Sequence, residues 1–147
     1  MKKIYLAAAV FSVFERNNNY YIANILKEKG SYEVFLPQEV PPLETATGKD
    51  MSYIYQQCKV NIENSDVVVA LVDGSDVDSG VAWELGYACA KHVPALCIRT
   101  DFRKAEDKGV NVMIEYGSVK TVYLTKYHQT IEEIAYHILQ ELEDIQL

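Results

Sequence analysis

The sequence predicts an α/β sandwich in which a five-stranded parallel sheet is covered by helices on both faces. Two observations carry that expectation. Apolar runs short enough to be strands alternate with segments of helical periodicity along the whole chain, and the strongest runs are apolar at every position rather than every second one. A strand with one wet face alternates, whereas a strand hidden on both faces reads as a continuous run, so the continuity points to parallel strands between two helical layers.

The elements follow in order. Lys3 to Val10 is the first continuous run. Tyr21, Ile22, Ile25 and Leu26 then form a helical stripe that stops at Gly30, a residue suited to the left-handed turn that ends helices. Tyr32 to Leu36 is a short second strand, and Pro37 to Gly48, with three prolines, is a long connection rather than a domain boundary. Met51, Ile54, Tyr55, Cys58 and Ile62 mark a second helix, and Asp66 to Val72, with Val67-Val68-Val69 at its heart, a third strand. A helix begins near Ser79 or Gly80, a fourth strand runs from Val93 to Ile98, a short helix follows Asn111, and a fifth strand covers Val119 to Leu124. Last comes the clearest helix, with Ile131, Ile134, Ala135, Ile138, Leu139, Leu142 and Ile145 on one stripe and Glu132, Glu133, Gln140, Glu141 and Glu143 elsewhere on the wheel. Strict alternation of strand and helix calls for right-handed crossovers, which gives a flavodoxin-like three-layer α/β/α sandwich. Ligands bind beyond the carboxyl ends of the strands in such sheets. Function is therefore sought in the loops Tyr5 to Phe11, Pro37 to Pro42, Asp73 to Gly80 and Arg99 to Met113.

Composition narrows the partners. With 147 residues the chain makes one domain, 1–147, so a site must be built on one scaffold or shared with a second copy. Hydrophobic residues at 49% and charged residues at 24% exclude disordered, collagen-like and coiled-coil chains. Fourteen Lys and Arg against 21 Asp and Glu leave a net charge of −7 without a basic tract, which argues against long nucleic acid. No apolar run reaches the roughly 18 to 20 residues of a membrane span. Lys2-Lys3 followed by Ile4 to Phe14 has the outline of a signal peptide, but Ser12 interrupts the run and Glu15 and Arg16 end it, so it reads as the first strand. Cys58, Cys89 and Cys97 lack CxxC spacing and fit reduced thiols in a cytoplasmic protein.

Several chemistries lose their support at once. The chain has no GxGxxG after the first strand, no GxxxxGK[ST], no GxSxG and no HExxH. His92, His128 and His137 have no second ligand at metal spacing, and Cys89 with His92, three apart on one helix, reads as packing. Neither a metal nor a cofactor is expected.

The informative stretch runs from Asp73 to Ala88. It leaves the Val-rich third strand, passes Asp76 and Asp78, and enters a helix carrying Glu84, so four carboxylates converge where ligands bind. Asp76, Asp78 and Ser79 also suit a turn and a helix cap. Glu84 is harder to place so simply, because it stands between Trp83 and Leu85 in the most apolar helix of the chain. An acid in such surroundings needs a partner or a purpose. Gly80 lies one turn before it on the same face and leaves space above the carboxylate. Gly86, which costs a mid-helix position about 1 kcal/mol relative to Ala, suggests close approach to the sheet or a neighbour. Two acids with separated proton affinities are the equipment of glycosyl chemistry.

Asp78-Ser-Gly-Val-Ala-Trp-Glu84-Leu-Gly-Tyr-Ala88 resembles the signature of the nucleoside 2-deoxyribosyltransferase family, in which a loop Asp and a helix Glu precede Leu-Gly. Ile4-Tyr5-Leu-Ala resembles the family's first strand with its active-site tyrosine, followed by an aromatic, here Phe11. Asp73 matches a base-binding aspartate, and Asn111-Val-Met113 resembles an Asn-Leu-Met element that enters a neighbouring subunit's site. The resemblance implies a cytoplasmic enzyme that moves a 2-deoxyribosyl group from one nucleobase to another by a retaining double displacement through a covalent ester on Glu84. It implies that Asp78 carries the base proton, Tyr5 orients Glu84, Phe11 stacks on the base, and Asn111 reaches a neighbour's sugar site or Glu84. The assembly implied is a homo-oligomer, a dimer or a hexamer built from dimers, with Asn111 and Met113 in the neighbour's site. Val112 replaces the family's leucine, and Ala7-Ala8-Ala9-Val10 is less polar than many first loops. The related deoxynucleoside 5′-monophosphate N-glycosidases read phosphate through a Gly/Ser/Arg-rich loop. Here only Ser12 and the more distant Arg16 are present, which favours a nucleoside. A nucleotide-binding module without catalysis would have no use for Glu84.

Overall fold

A computed structural model describes residues 1–40, 48–104 and 109–145. Its strands are β1 (Lys3–Ala7), β2 (Glu33–Phe35), β3 (Val67–Leu71), β4 (Ala95–Arg99) and β5 (Lys120–Tyr123). Helices α1 (Val13–Gly30), α2 (Gly48–Glu63), α3 (Ser79–Ala90), α4 (Val112–Gly117) and α5 (Ile131–Asp144) alternate with them. The five strands form one sheet in the order β2-β1-β3-β4-β5, every pair parallel. This is the expected three-layer sandwich. The strand order reverses beside β1, so the crevice between β1 and β3 is where a ligand site is looked for first.

The continuous apolar runs are explained by two cores, one on each face. Ile4, Leu6, Val67, Val69, Leu96 and Ile98 pack with Ile22 and Leu26 of α1 and with Ile134, Ile138 and Leu142 of α5. The intervening residues Tyr5, Ala7, Val68, Ala70, Ala95 and Cys97 pack with Ile62 of α2, with Val81, Leu85 and Ala88 of α3 and with Ile114 of α4. Alternate side chains along each strand thus serve opposite layers.

Two boundaries differ from expectation. The first strand ends at Ala7, not Val10, because the next carbonyls are claimed by α1 and not by a ladder. Asn19 Nδ2 donates to the Ala9 carbonyl at 3.0 Å, and Arg16 Nη1 donates to those of Val10 and Phe11 at 2.9 and 3.0 Å. Helix α1 starts well before its apolar stripe, since Ser12 and Glu15 form a capping box: Glu15 N donates to Ser12 Oγ and Ser12 N to Glu15 Oε2. The start of the proline-rich connection is a 3₁₀ turn at Pro37–Glu39, and Pro41 to Thr47 lie outside the described residues. None of the described helices is long and apolar enough to cross a membrane.

The α5 stripe supplies a test of the packing. Ile138 is fully buried between α1 and the sheet, so Ile138→Ala is expected to cost about 2–5 kcal/mol in urea unfolding with an unchanged slope. Glu132→Ala on the exposed side of the same helix is expected to stay within about 0.5 kcal/mol.

Candidate active site

The site begins with the facing of β1. Because Ile4 and Leu6 point to the α1/α5 layer, Tyr5 points to the other, where it is wholly buried and stacks on Phe35 with centroids 5.3 Å apart. Its hydroxyl reaches α3 and donates to Glu84 Oε1 at 2.5 Å. The Cys58 thiol of α2 lies beside the same pair; burial pushes its pKa up, and the Glu84 charge adds to the rise while Tyr5 opposes it. Burial and then the charge of Glu84 hold the phenol far above its usual range, so Tyr5 is a neutral, permanent donor.

Glu84 is half-buried on the sheet-facing side of α3. Burial pushes its pKa up to about 7; the Tyr5 bond pulls against that rise and the charge of Asp78 reinforces it. Asp78 is the N-cap of α3, its Oδ2 accepting from Gly80 N at 2.9 Å and Val81 N at 3.1 Å. Gly80 is explained by this cap, since a Cβ there would lie 3.0 Å from Asp78 Oδ2. The space expected above Glu84 is thus first of all space for Asp78. A mid-chain proton acceptor near neutrality, oriented by a phenol and faced by a second carboxylate, can act as a nucleophile, a base or an acid at physiological pH.

Beyond the carboxyl ends of β1, β3 and β4 lies a cavity of about 270 Å³. Ala8, Ala9, Glu15, Asn18, Asp73, Asp78 and Thr100 are on its wall. Asp78 is therefore the link between the cavity and the Tyr5–Glu84 pair. Asp73 is on the wall but already well occupied: its Oδ1 accepts from Thr100 N at 2.6 Å and Asp101 N at 2.9 Å, and its Oδ2 from the Thr100 hydroxyl.

The remaining expectations divide. Phe11 sits on the bend before α1 with 72% of its surface exposed. Asn111 caps α4, accepting from Met113 N at 2.9 Å, and Met113 is 78% exposed. Both line a second cavity of about 520 Å³ between α3 and α4, with Ala82, Gly86 and Cys89, and not the cavity of Asp73 and Asp78. A single chain does not bring them to Glu84. Gly86 corrects the sequence reading in part, because a Cβ there would meet nothing within 4 Å among the described residues; it faces that second cavity rather than the sheet. Sequence reasoning passed over Asn19, buried and bonded to Ala9 O and Gln38 Oε1, and Arg99, fully buried at the end of β4. An arginine closing an otherwise apolar run is the one signal that marked the latter.

Comparison with known proteins places the chain by family and fold. The sequence profile of the nucleoside 2-deoxyribosyltransferase family matches residues 4–115. No functionally curated protein matches the chain. Among solved structures, a conserved protein from Enterococcus faecalis V583 is 25% identical with a TM-score of 0.70, covering 96% of this chain and 99% of that one. A 2-deoxyribosyltransferase from Bacillus psychrosaccharolyticus superposes with a TM-score of 0.71 at 21% identity, covering 93% of this chain and 95% of its own. One from Leishmania mexicana does so with 0.68 at 22% identity, covering 93% and 99%. The profile match spans the strand bearing Tyr5, the helix bearing Glu84 and the Asn111–Met113 turn, and by it the chain belongs to the nucleoside 2-deoxyribosyltransferase family.

Proposed function

We propose that this protein exchanges the base of a 2′-deoxynucleoside by a retaining double displacement, with Glu84 as nucleophile. The observation that carries the reading is the Tyr5–Glu84 pair: a half-buried carboxylate with a pKa raised to about 7, held by a neutral donor at 2.5 Å. A Glu84 oxygen attacks C1′ as the bond to the base nitrogen breaks, through an oxocarbenium-like transition state. The departing base takes the bonding electrons and a proton from Asp78. In the second half a new base attacks C1′, the ester bond to Glu84 breaks, and Asp78 recovers a proton from the incoming nitrogen. With Oδ2 of Asp78 held by the amides of α3, its Oδ1 is the oxygen that serves the base.

Substrate class follows from the cavity wall. Glu15, Asp73 and Asp78 present carboxylates there, and Arg16, which is not among the residues on that wall, gives its Nη1 to the Val10 and Phe11 carbonyls. An uncharged nucleoside suits this wall, whereas a 5′-phosphate meets like charge. A 2′-hydroxyl would withdraw electrons from the cationic transition state and crowd Glu84, which favours the deoxy sugar. Phe11 supplies a stacking face at the rim, and Asp73 an acceptor for the base edge through the lone pairs that Thr100 and Asp101 leave.

The site is completed by a second copy of the chain. Asn111 and Met113 stand on the far side of α3 from the Asp73–Asp78 cavity, with Met113 turned outward. In a two-fold assembly each copy's turn enters the other's site.

Activity and stability are expected to depend on pH with opposite signs. Ionising Glu84 makes the nucleophile, so kcat/KM for base exchange should rise with pH through about 7. Tyr5→Phe removes the bond that favours the ionised form and should move that midpoint to higher pH. For folding, the native state holds a proton on Glu84 that the unfolded chain, with its carboxyl near 4.5, has lost. Stability contributed at this position is thus largest below 4.5 and falls up to about 7. Glu84→Gln should abolish exchange, read by chromatography over purine and pyrimidine pairs, yet melt higher than the parent at pH 8, the gain vanishing by pH 4.5. Near-parental exchange by Glu84→Gln would refute the nucleophile.

Subunit sharing is read by complementation. Glu84→Ala and Asn111→Ala are each expected to be inactive, and their co-refolded mixture to recover roughly a quarter of parental activity, since half of the dimers carry one intact site. A mixture as inactive as its components would place the whole site in one chain.

A further inference from the structure

Arg99 is the only charged residue among the described residues that is fully buried, 1% exposed at the end of β4. Its bonds run to main-chain carbonyls: Nη1 donates to Val72 O at 2.8 Å, and Nη2 to Gly74 O at 3.1 Å and Arg103 O at 2.7 Å. Its Nε is buried without a partner. A buried guanidinium bound only by neutral acceptors is costly, so its place calls for a purpose beyond packing.

The geometry supplies one. Val72 and Gly74 flank Asp73 on the loop that leads from β3 to Asp78, and Arg103 lies on the loop after β4. From the other direction Thr100 and Asp101 donate to Asp73, and Gly74 N donates to Asp101 Oδ2 at 3.2 Å. The two loops are thus clasped by bonds running both ways, with the arginine fork as the buried half. Two glycines in left-handed conformations let the chain fit around it. Gly74 has φ +107°, and a Cβ there would meet Asp76 O at 2.7 Å; Gly109 has φ +119°, and a Cβ there would lie 3.4 Å from Arg99 Nε. The Tyr5–Glu84 pair hangs on β1 and α3 and makes no bond to this clasp.

We infer that Arg99 is a positioning residue for the acid half of the site: its planar fork sets the loop that carries Asp73 and leads to Asp78, and makes no bond to the Tyr5–Glu84 pair. This inference rests on the transfer reading above. Lys, whose three N–H donors share a single nitrogen, cannot reproduce a planar fork that spans three carbonyls.

The test separates leaving groups. An ordinary donor such as 2′-deoxyadenosine needs a proton on its departing base, whereas 7-methyl-2′-deoxyguanosine, already cationic in its base, expels a neutral base without one. Arg99→Met is expected to lose about 100-fold in kcat on the first donor, the scale of general acid catalysis, and less than about threefold on the second. Arg99→Lys is expected to fall between parent and Arg99→Met on the first and to match the parent on the second. Equal losses on both donors, or no loss on either, would overturn the proposal. Amide exchange gives a readout that needs no catalysis. In Arg99→Lys the Gly74 and Thr100 amides, bonded across the clasp, should exchange at least about tenfold faster while Leu6 in β1 is unchanged; unchanged protection at Gly74 and Thr100 would equally refute the clasp. An inactive parent protein would remove the transfer reading, and the amide result would then decide the clasp by itself.

Discussion

The rest of the structure depends on the bond from Tyr5 on β1 to Glu84 on α3. A carboxylate withdrawn from water must recover some of its lost hydration from the protein. Glu84 recovers only part of it, because its donor is a neutral phenol and not a cation. A lysine or arginine in Tyr5's place would make an ordinary ion pair and leave the carboxylate quiet. The partial compensation is enough to hold the side chain in one position and too little to bring its proton affinity down to the usual range. Core packing and chemistry are one constraint here. The register that pairs Tyr5 with Val68 also puts Ile4 and Leu6 on the α1/α5 core, and a slip of one residue would exchange the two faces and carry the phenol away from α3.

That coupling explains which parts of the molecule were legible in the sequence. The parallel sheet was legible because two-faced burial writes itself as uninterrupted apolar runs, and all five runs became strands. Glu84 was legible because an acid inside an apolar helix contradicts its surroundings. Where competing hydrogen bonds decide the conformation, hydrophobicity is silent. Ala8 to Val10 are as apolar as the strand before them, yet they leave the ladder because Asn19 and Arg16 claim their carbonyls. Gly86 misled for a related reason. A missing side chain suggests close approach without saying to what, and among the described residues of the chain nothing comes close.

Asp73 and Arg99 show the same limit at the site itself. The position of Asp73 at the end of a central strand marks it as a ligand contact, but its three donors from Thr100 and Asp101 come from a segment far along the chain. Arg99 shows in the pattern of apolar and polar residues only as a charge closing an apolar run, which does not say that it is buried. Its partners are carbonyls, which every residue has, so no complementary side chain betrays it. Only the fold, by setting β4 beside β3, brings the fork to the loop it holds.

Charge balance ties these pieces together. Asp73, Asp78, Glu84 and Asp101 stand near one another in a chain that already carries seven excess negative charges. Mutual repulsion of that kind is relieved in two ways on this rim and left largely unrelieved at a third carboxylate, each with a different chemical result. Asp101 is paired with the exposed Arg103, which holds its pKa far below the carboxylate range and makes it a permanent acceptor for Gly74. Asp73 is tied down by two main-chain amides and the Thr100 hydroxyl, so it serves as structure and as an acceptor together. Glu84 receives neither a cation nor an amide. The repulsion of the acid cluster is therefore left on Glu84, whose pKa stands at about 7, and it is this unequal relief, not the number of acids, that gives the rim a reactive member.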